Sequence, residues 1–394
     1  MEQALNRNIW VDYLRSALTV LVVAHHASLA YTTFARFDAE AYIRSTHPIV
    51  DARRWVGLDI FENFNDVFFM SLMFLIGGLF LVKSIGKKGF SVFIKDRFYR
   101  LFVPFITLGT LLMLIAYFPA YYIAKGSTDI VAYVKDFFIV EQWPVGPPWF
   151  IWVLFVFNLL FAVLSLVINK ISKNTGRFIS SLQRRPFLFC MLWWVFTWLL
   201  YVPIAHRIGA GTWTGFYPFD FQLSRFLLYF GYFLLGVFIG TTDFNYQVFS
   251  PTSAIVRKWW LWAVSALVVY IVLTIVERMD ILADMVKANQ LGGFSAWMIY
   301  FSIYTASCTL SSIAFIAAFR RLIYRSFDWW DSLTANAYLI YLTHYVFLIW
   351  IQFILLPYEL PAFIKFLITF IFSLALSWGL SILLRKIKVI NQYL

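Results

Sequence analysis

The sequence predicts an all-α integral membrane bundle, a polytopic chain of about ten transmembrane helices with both termini cytoplasmic. Three observations carry that reading. Of its 394 residues 62% are hydrophobic and only 13% charged, about half the charged fraction of a soluble domain. Apolar runs of about 20 residues, enough to cross some 30 Å of hydrocarbon, recur at 11–31, 62–82, 101–123, 148–168, 187–204, 226–241, 259–276, 294–319, 335–356 and 362–384. Lysine and arginine alternate in density between these runs. The segments placed inside hold 20 of them and the outer loops 10, a bias that orients the chain by the positive-inside rule.

The same pattern accounts for the net charge of +12, so no nucleic-acid partner is inferred. Residues 1–394 read as one domain with no soluble appendage, multi-pass in the cytoplasmic (inner) membrane. Cys190 and Cys308 lie far apart in apolar runs, a spacing that offers neither a metal site nor a redox pair.

The first run is too long and too polar for a cleaved signal and is read as an uncleaved span. It carries Asp12, Arg15 and His26. Eleven residues at about 100° each bring His26 to within about 20° of the Arg15 face, some 16 Å along the axis. Asp12 falls near the same stripe, and His25 is turned about 100° away. Ionisable groups inside hydrocarbon are costly and mark function. A neutral imidazole there is a natural general base; a structural hydrogen bond for His26 and a snorkelling Arg15 are the plainer alternative.

The second run opens with Glu62 and Asp66, four residues apart on one helical face. They are either acceptor contacts or a solvated helix end. The segment before the third run is basic, with Lys83, Lys87, Lys88, Lys95, Arg97 and Arg100. Arginine forks suit phosphates, and Arg97 and Arg100 share a face if a helix begins there; topology and anionic lipid account for such a cluster equally. The fourth run opens PPWF at Pro147, where Trp149 is an interface anchor by default. The fifth and sixth runs are short or ragged. The ninth holds Tyr338, Tyr341 and His344 at three-residue steps, a polar stripe that serves either helix packing or chemistry. The outer loops are rich in aromatics and in acids such as Asp51, Asp59, Asp136 and Glu141, a combination that carbohydrate sites and interfacial belts share.

These residues together resemble the acyltransferase-3 family of integral membrane acyltransferases. The likeness rests on Arg15 with His26 ten residues between, on Arg97-x-x-Arg100 before Pro104, and on MFLIGGLF from Met73. PPWF at Pro147 and the Tyr-Leu-x-His of Tyr341 to His344 complete it. The run DYLR…HASLAY further resembles the branch that succinylates periplasmic glucans. Pro148 departs from the pattern, since several relatives have histidine before that tryptophan.

The resemblance implies transfer of an acetyl or succinyl group from cytoplasmic acyl-coenzyme A to a hydroxyl of an extracytoplasmic glycan. It makes His26 the catalytic histidine, Arg15 its companion, and Arg97 with Arg100 the grip on coenzyme A phosphates; beside these, the residues themselves place Asp12 to fix Arg15 and Lys95 to raise the local potential. Glu62, Asp66, Trp149, Tyr341 and His344 are then candidate substrate contacts. Arg15 either stabilises charge from the thioester or orients the donor, and a covalent acyl-histidine is a variant of direct transfer. With no fused hydrolase-like domain, the acyl group is expected to pass straight to its final acceptor. The competing class is a transporter or flippase using the same buried charges, although paired interrupted helices are not evident.

Overall fold

A computed structural model of the chain describes residues 8–393, with the side chains of 166–170 and 389 excepted. In chain order, α1 (Ile9–Leu29) passes through a loop at 30–55 to α2 (Val56–Gly78). The short α3 (Leu81–Lys88) and α4 (Phe90–Arg97) then lead to α5 (Thr110–Lys125). After α6 (Ile130–Lys135) come α7 (Trp149–Ser181), α8 (Pro186–Ile208) and α9 (Phe226–Gly240). An antiparallel ribbon of β1 (Trp213–Thr214) and β2 (Phe221–Gln222) lies between the last two. The remaining helices are α10 (Ala254–Arg257), α11 (Trp259–Arg278), α12 (Ile281–Lys287), α13 (Gly293–Leu322), α14 (Asp328–Leu355), α15 (Ala362–Leu384) and α16 (Lys388–Tyr393).

Among the described residues, eight helical stretches are long and apolar enough to cross a membrane. They fall on eight of the ten expected runs, including the two ragged ones. The other two runs are helical but do not meet that criterion. Asp12, Arg15, His25 and His26 lower the hydropathy of α1, and of α7 the shorter stretch Trp149–Ser165 is apolar. The residues that single out α1 are thus the ones that weaken its membrane signal.

Two boundaries differ from expectation. Helix α2 begins six residues before position 62 and takes in Asp59, which reads in sequence as loop but is buried and bonded to Thr33 and Arg278. The basic segment 83–100, expected as loop, is largely helical in α3 and α4. Arg7 of the inner count lies outside the described residues.

Helix α2 occupies the centre, packed on α1, α9 and α13. Its crossing with α9 is a backbone contact: a Cβ on Gly236 would strike the Leu75 carbonyl, one on Gly240 the Leu79 carbonyl, and one on Gly78 the Phe233 carbonyl. Small residues allow this approach, which is how helices gain packing in lipid. Gly236→Val is expected to cost at least about 2 kcal/mol and to lower the melting temperature in detergent. Gly379→Ala, where an added methyl meets nothing within 4 Å, serves as the neutral control.

On α15, Lys365, Thr369, Ser373, Ser377 and Ser381 recur every fourth residue and are fully buried. This narrow stripe lets α15 pack closely on α14 and fixes the helix that carries His344. Tyr31 of the 30–55 loop bonds Thr369 across it at 3.1 Å.

The 30–55 loop is tied down by carboxylates. Lys365 reaches Asp51 at 2.5 Å, and Asp59 accepts from Thr33 and from Arg278 at 2.8 Å. Glu141 accepts from the backbone N–H groups of Tyr42 and Ile43, and Asp136 from the Tyr42 hydroxyl. Four acids that composition offered as carbohydrate partners are therefore engaged within the protein.

His47 completes the loop's attachment, with Nε2 2.8 Å from the Gln352 side-chain oxygen. Burial holds this imidazole at about 4, below its usual 6.5. Between those values the unfolded chain binds the proton and the folded chain does not, so stability is complete above the window and falls as pH drops through it. His47→Gln is expected to reduce the difference in melting temperature between pH 7 and pH 5; an unchanged difference would remove His47 from the acid response.

Candidate active site

Two cavities lie end to end in the bundle. The first, about 700 Å³, is lined by Asp12, Arg15, Arg97, Arg100 and Arg385, and we call it the basic cavity. Its arginines arrive from α1, from the α4 exit and from the segment after α15. Proline 104 explains one of them. It has no N–H and crowds the carbonyl four residues back, which is that of Arg100. The chain around it widens into π-helix at Phe98–Phe102 and Phe105–Gly109, and the released Arg100 carbonyl accepts from the Tyr338 hydroxyl at 2.9 Å.

Arg100 also pairs with Asp96 at 3.1 Å, and Arg15 with Asp12 at 3.3 Å. Among the described residues, no carboxylate forms an ion pair with Arg97 within 4.0 Å. Its guanidinium stacks 5.0 Å from the Phe93 ring, reaches the Ser84 hydroxyl at 3.5 Å and leaves a buried Nε without a hydrogen-bond partner among the described residues. Arg385 bonds the Ala335 carbonyl and Asn391. The wall therefore presents forked donors to an anion. Lys95 is exposed and does not line it.

The second cavity, about 930 Å³, is lined by His25, His26, His47, Glu62, Asp66, Trp149 and Tyr341, together with Trp213 and Tyr345. Both histidines of α1 reach it because it is wider than one helical stripe. Asp66 is held by Arg225 through two short bonds, 2.8 and 2.6 Å. Glu62 lies 3.8 Å from Nε2 of His25. Trp149 packs on Trp213 and Tyr229 rather than at an interface.

His344 lies behind His26. Its Nδ1 is 2.7 Å from the Tyr341 carbonyl and its Nε2 is 3.3 Å from Nδ1 of His26. A carbonyl only accepts, so the His344 proton sits on Nδ1 and its Nε2 offers a lone pair. Nδ1 of His26 faces that lone pair and, at 2.9 Å, the Val22 carbonyl. The network assigns the His26 proton to Nδ1 and leaves Nε2 as the basic nitrogen.

The structure thus gathers Asp12, Arg15, Arg97 and Arg100 in one cavity, and His26, Glu62, Asp66 and Trp149 in the other. Tyr341 lines both. Arg15 and His26, expected on one face of α1, line separate cavities. Sequence reasoning missed Arg385, Arg225, His25 and His47. Arg225 had one signal, a lone cation at the mouth of an apolar run, as in α1.

The family model of the acyltransferase domain matches residues 8–382, nearly the whole chain. No curated protein and no solved structure matches it. The match covers every motif named above and all of both cavity linings except Arg385 and Tyr393, and the chain belongs to the acyltransferase-3 family as a multi-pass membrane acyltransferase.

Proposed function

We propose that the protein takes an acyl group, acetyl or succinyl, from cytoplasmic acyl-coenzyme A and esterifies a hydroxyl of an extracytoplasmic glycan. The basic cavity receives the donor from the cytoplasm: Arg97, Arg100 and Arg385 hold phosphates, and Arg15, steadied by Asp12, guides the pantetheine arm. The acceptor enters the second cavity, where Trp149 and Trp213 offer ring faces to a sugar and Glu62 a hydroxyl acceptor. Nε2 of His26 takes the proton from the acceptor hydroxyl as its oxygen attacks the thioester carbonyl. The carbon–sulfur bond then breaks, and the coenzyme A thiolate leaves with the proton returned by His26. The products are an ester and free coenzyme A. His344 keeps the proton on Nδ1 of His26 and shares the charge of the imidazolium that forms.

Arg15 lies some 16 Å from His26 along the helix, so its part is to orient the donor and not to stabilise the oxyanion. The observation that carries this reading is a four-arginine cavity set end to end with one that holds a histidine whose basic nitrogen is left for a substrate. The test is mass spectrometry of envelope carbohydrate from an inner-membrane host with and without the gene. Gain of an acetyl or succinyl ester is expected. Altered export of the carbohydrate with no ester formed would transfer the reading to a flippase.

A further inference from the structure

The division between the two cavities is thin and has one principal member. On α1, Thr19 faces the basic cavity and Val22 the histidine cavity; on α2 the pair is Met73 and Met70. Three residues rise about 4.5 Å along a helix, so the septum is about one side chain thick. Among the described residues, Tyr341 alone lines both cavities. Its hydroxyl donates to the Pro147 carbonyl just before α7, and its ring lies 5.9 Å from that of Phe150. Its own carbonyl anchors His344, so the backbone of this residue is fixed while its side chain spans the gap.

We infer that the Tyr341 ring, latched to Pro147, is the septum past which the acyl end of the donor moves to reach His26, and that the clearance beside it sets the width of acyl group admitted. The acyl passage rests on the donor assignment proposed above; the septum itself rests on geometry alone. A linear acyl chain on a slender pantetheine arm slips beside a ring that swings about its two side-chain torsions. A branched or aromatic acyl group does not. Tyr341 is thus a specificity-determining residue and takes no part in bond making.

The test uses the full chain with Cys190→Ala and Cys308→Ala in oriented proteoliposomes, with Leu29→Cys placed on the far side of His26, where Leu29 lines the histidine cavity. An impermeant anionic thiol reagent is applied to either face. With Tyr341 present, labelling is expected from the histidine-cavity face only. Tyr341→Ala should raise labelling from the basic face at least tenfold and leave the opposite face unchanged, which also shows that the fold is kept. Tyr341→Phe, which keeps the ring and loses the latch, should fall between. Equal labelling from both faces with Tyr341 present, or none gained in Tyr341→Ala, overturns the septum.

The second arm asks which donors, added at the basic face, shield Leu29→Cys. Acetyl-coenzyme A is expected to protect with Tyr341 present, and benzoyl-coenzyme A only in Tyr341→Ala. Equal protection by both with Tyr341 present overturns width selection. Protection by neither in any variant, with the septum opening as described, overturns both the acyl passage and the donor assignment and leaves the septum standing.

Discussion

Replacing His26 by alanine is expected to lower acyl transfer by about 10²–10⁴-fold, the range for loss of a positioned general base, with donor binding essentially unchanged. The expectation follows from where the imidazole stands. It lines the histidine cavity, whereas Arg15, Arg97, Arg100 and Arg385 line the other, so its removal leaves the proposed phosphate grip intact. His344 sharpens the test. Its Nε2 receives the Nδ1 proton of His26, and without that partner the imidazole is free to turn or to hold its proton on the wrong nitrogen. His344→Ala should lower kcat by on the order of 10²-fold at constant KM, as loss of an orienting partner does in other base-assisted sites. His344→Gln, whose amide oxygen accepts from the same Nδ1, should recover part of it. Equal loss of donor binding and turnover in His26→Ala would make the histidine structural.

How much of this was legible before the fold depends on the distance over which each inference had to reach. Arg15 and His26 share one helix, and periodicity fixes their directions whatever packs against them. The same holds for Arg97 and Arg100, although Pro104 widens the helix around them in a way that periodicity does not include. Asp66 reads in sequence as the companion of Glu62 because the two are four residues apart. The structure gives it instead to Arg225, 159 residues away. His344 reads as a substrate contact on its own stripe, but it meets His26 from 318 residues away. A helical stripe tells which residues face together and not which helix they face. The separation of Arg15 from His26 was illegible for the same reason: Tyr341, which lines both cavities, bonds the Pro147 carbonyl from 194 residues away. Arg385 was concealed by its neighbours, since Lys386 and Lys388 make it one of several cations that topology already explains.

Removing both Arg97 and Arg100 is expected to weaken coenzyme A binding by about 10²-fold, and the two contributions are unequal. A hydrogen bond to a charged group contributes about 1.5–3 kcal/mol; a full one from Arg97 and a solvent-screened one from Arg100 amount together to about 3 kcal/mol, or two decades in Kd. Arg100 is half exposed and already paired with Asp96, and such pairs are screened by solvent. Arg97 is the less exposed of the two, braced on Phe93, with a buried Nε that has no hydrogen-bond partner among the described residues; an arriving phosphate gives that group a strong acceptor. Arg97→Ala alone should therefore account for most of the loss and Arg100→Ala for a few-fold at most. Lys95→Ala, off the cavity wall, should change nothing measurable. Salt separates grip from collapse: raising ionic strength weakens wild-type binding by screening, and the double variant, having lost that component, should respond less steeply. Dephospho-coenzyme A, with one phosphate fewer, should bind the wild type more weakly and distinguish poorly between wild type and double variant. If calorimetry instead gave the double variant wild-type affinity and wild-type salt dependence, the phosphates would lie elsewhere, and Arg15 with Arg385 would be the pair to remove next.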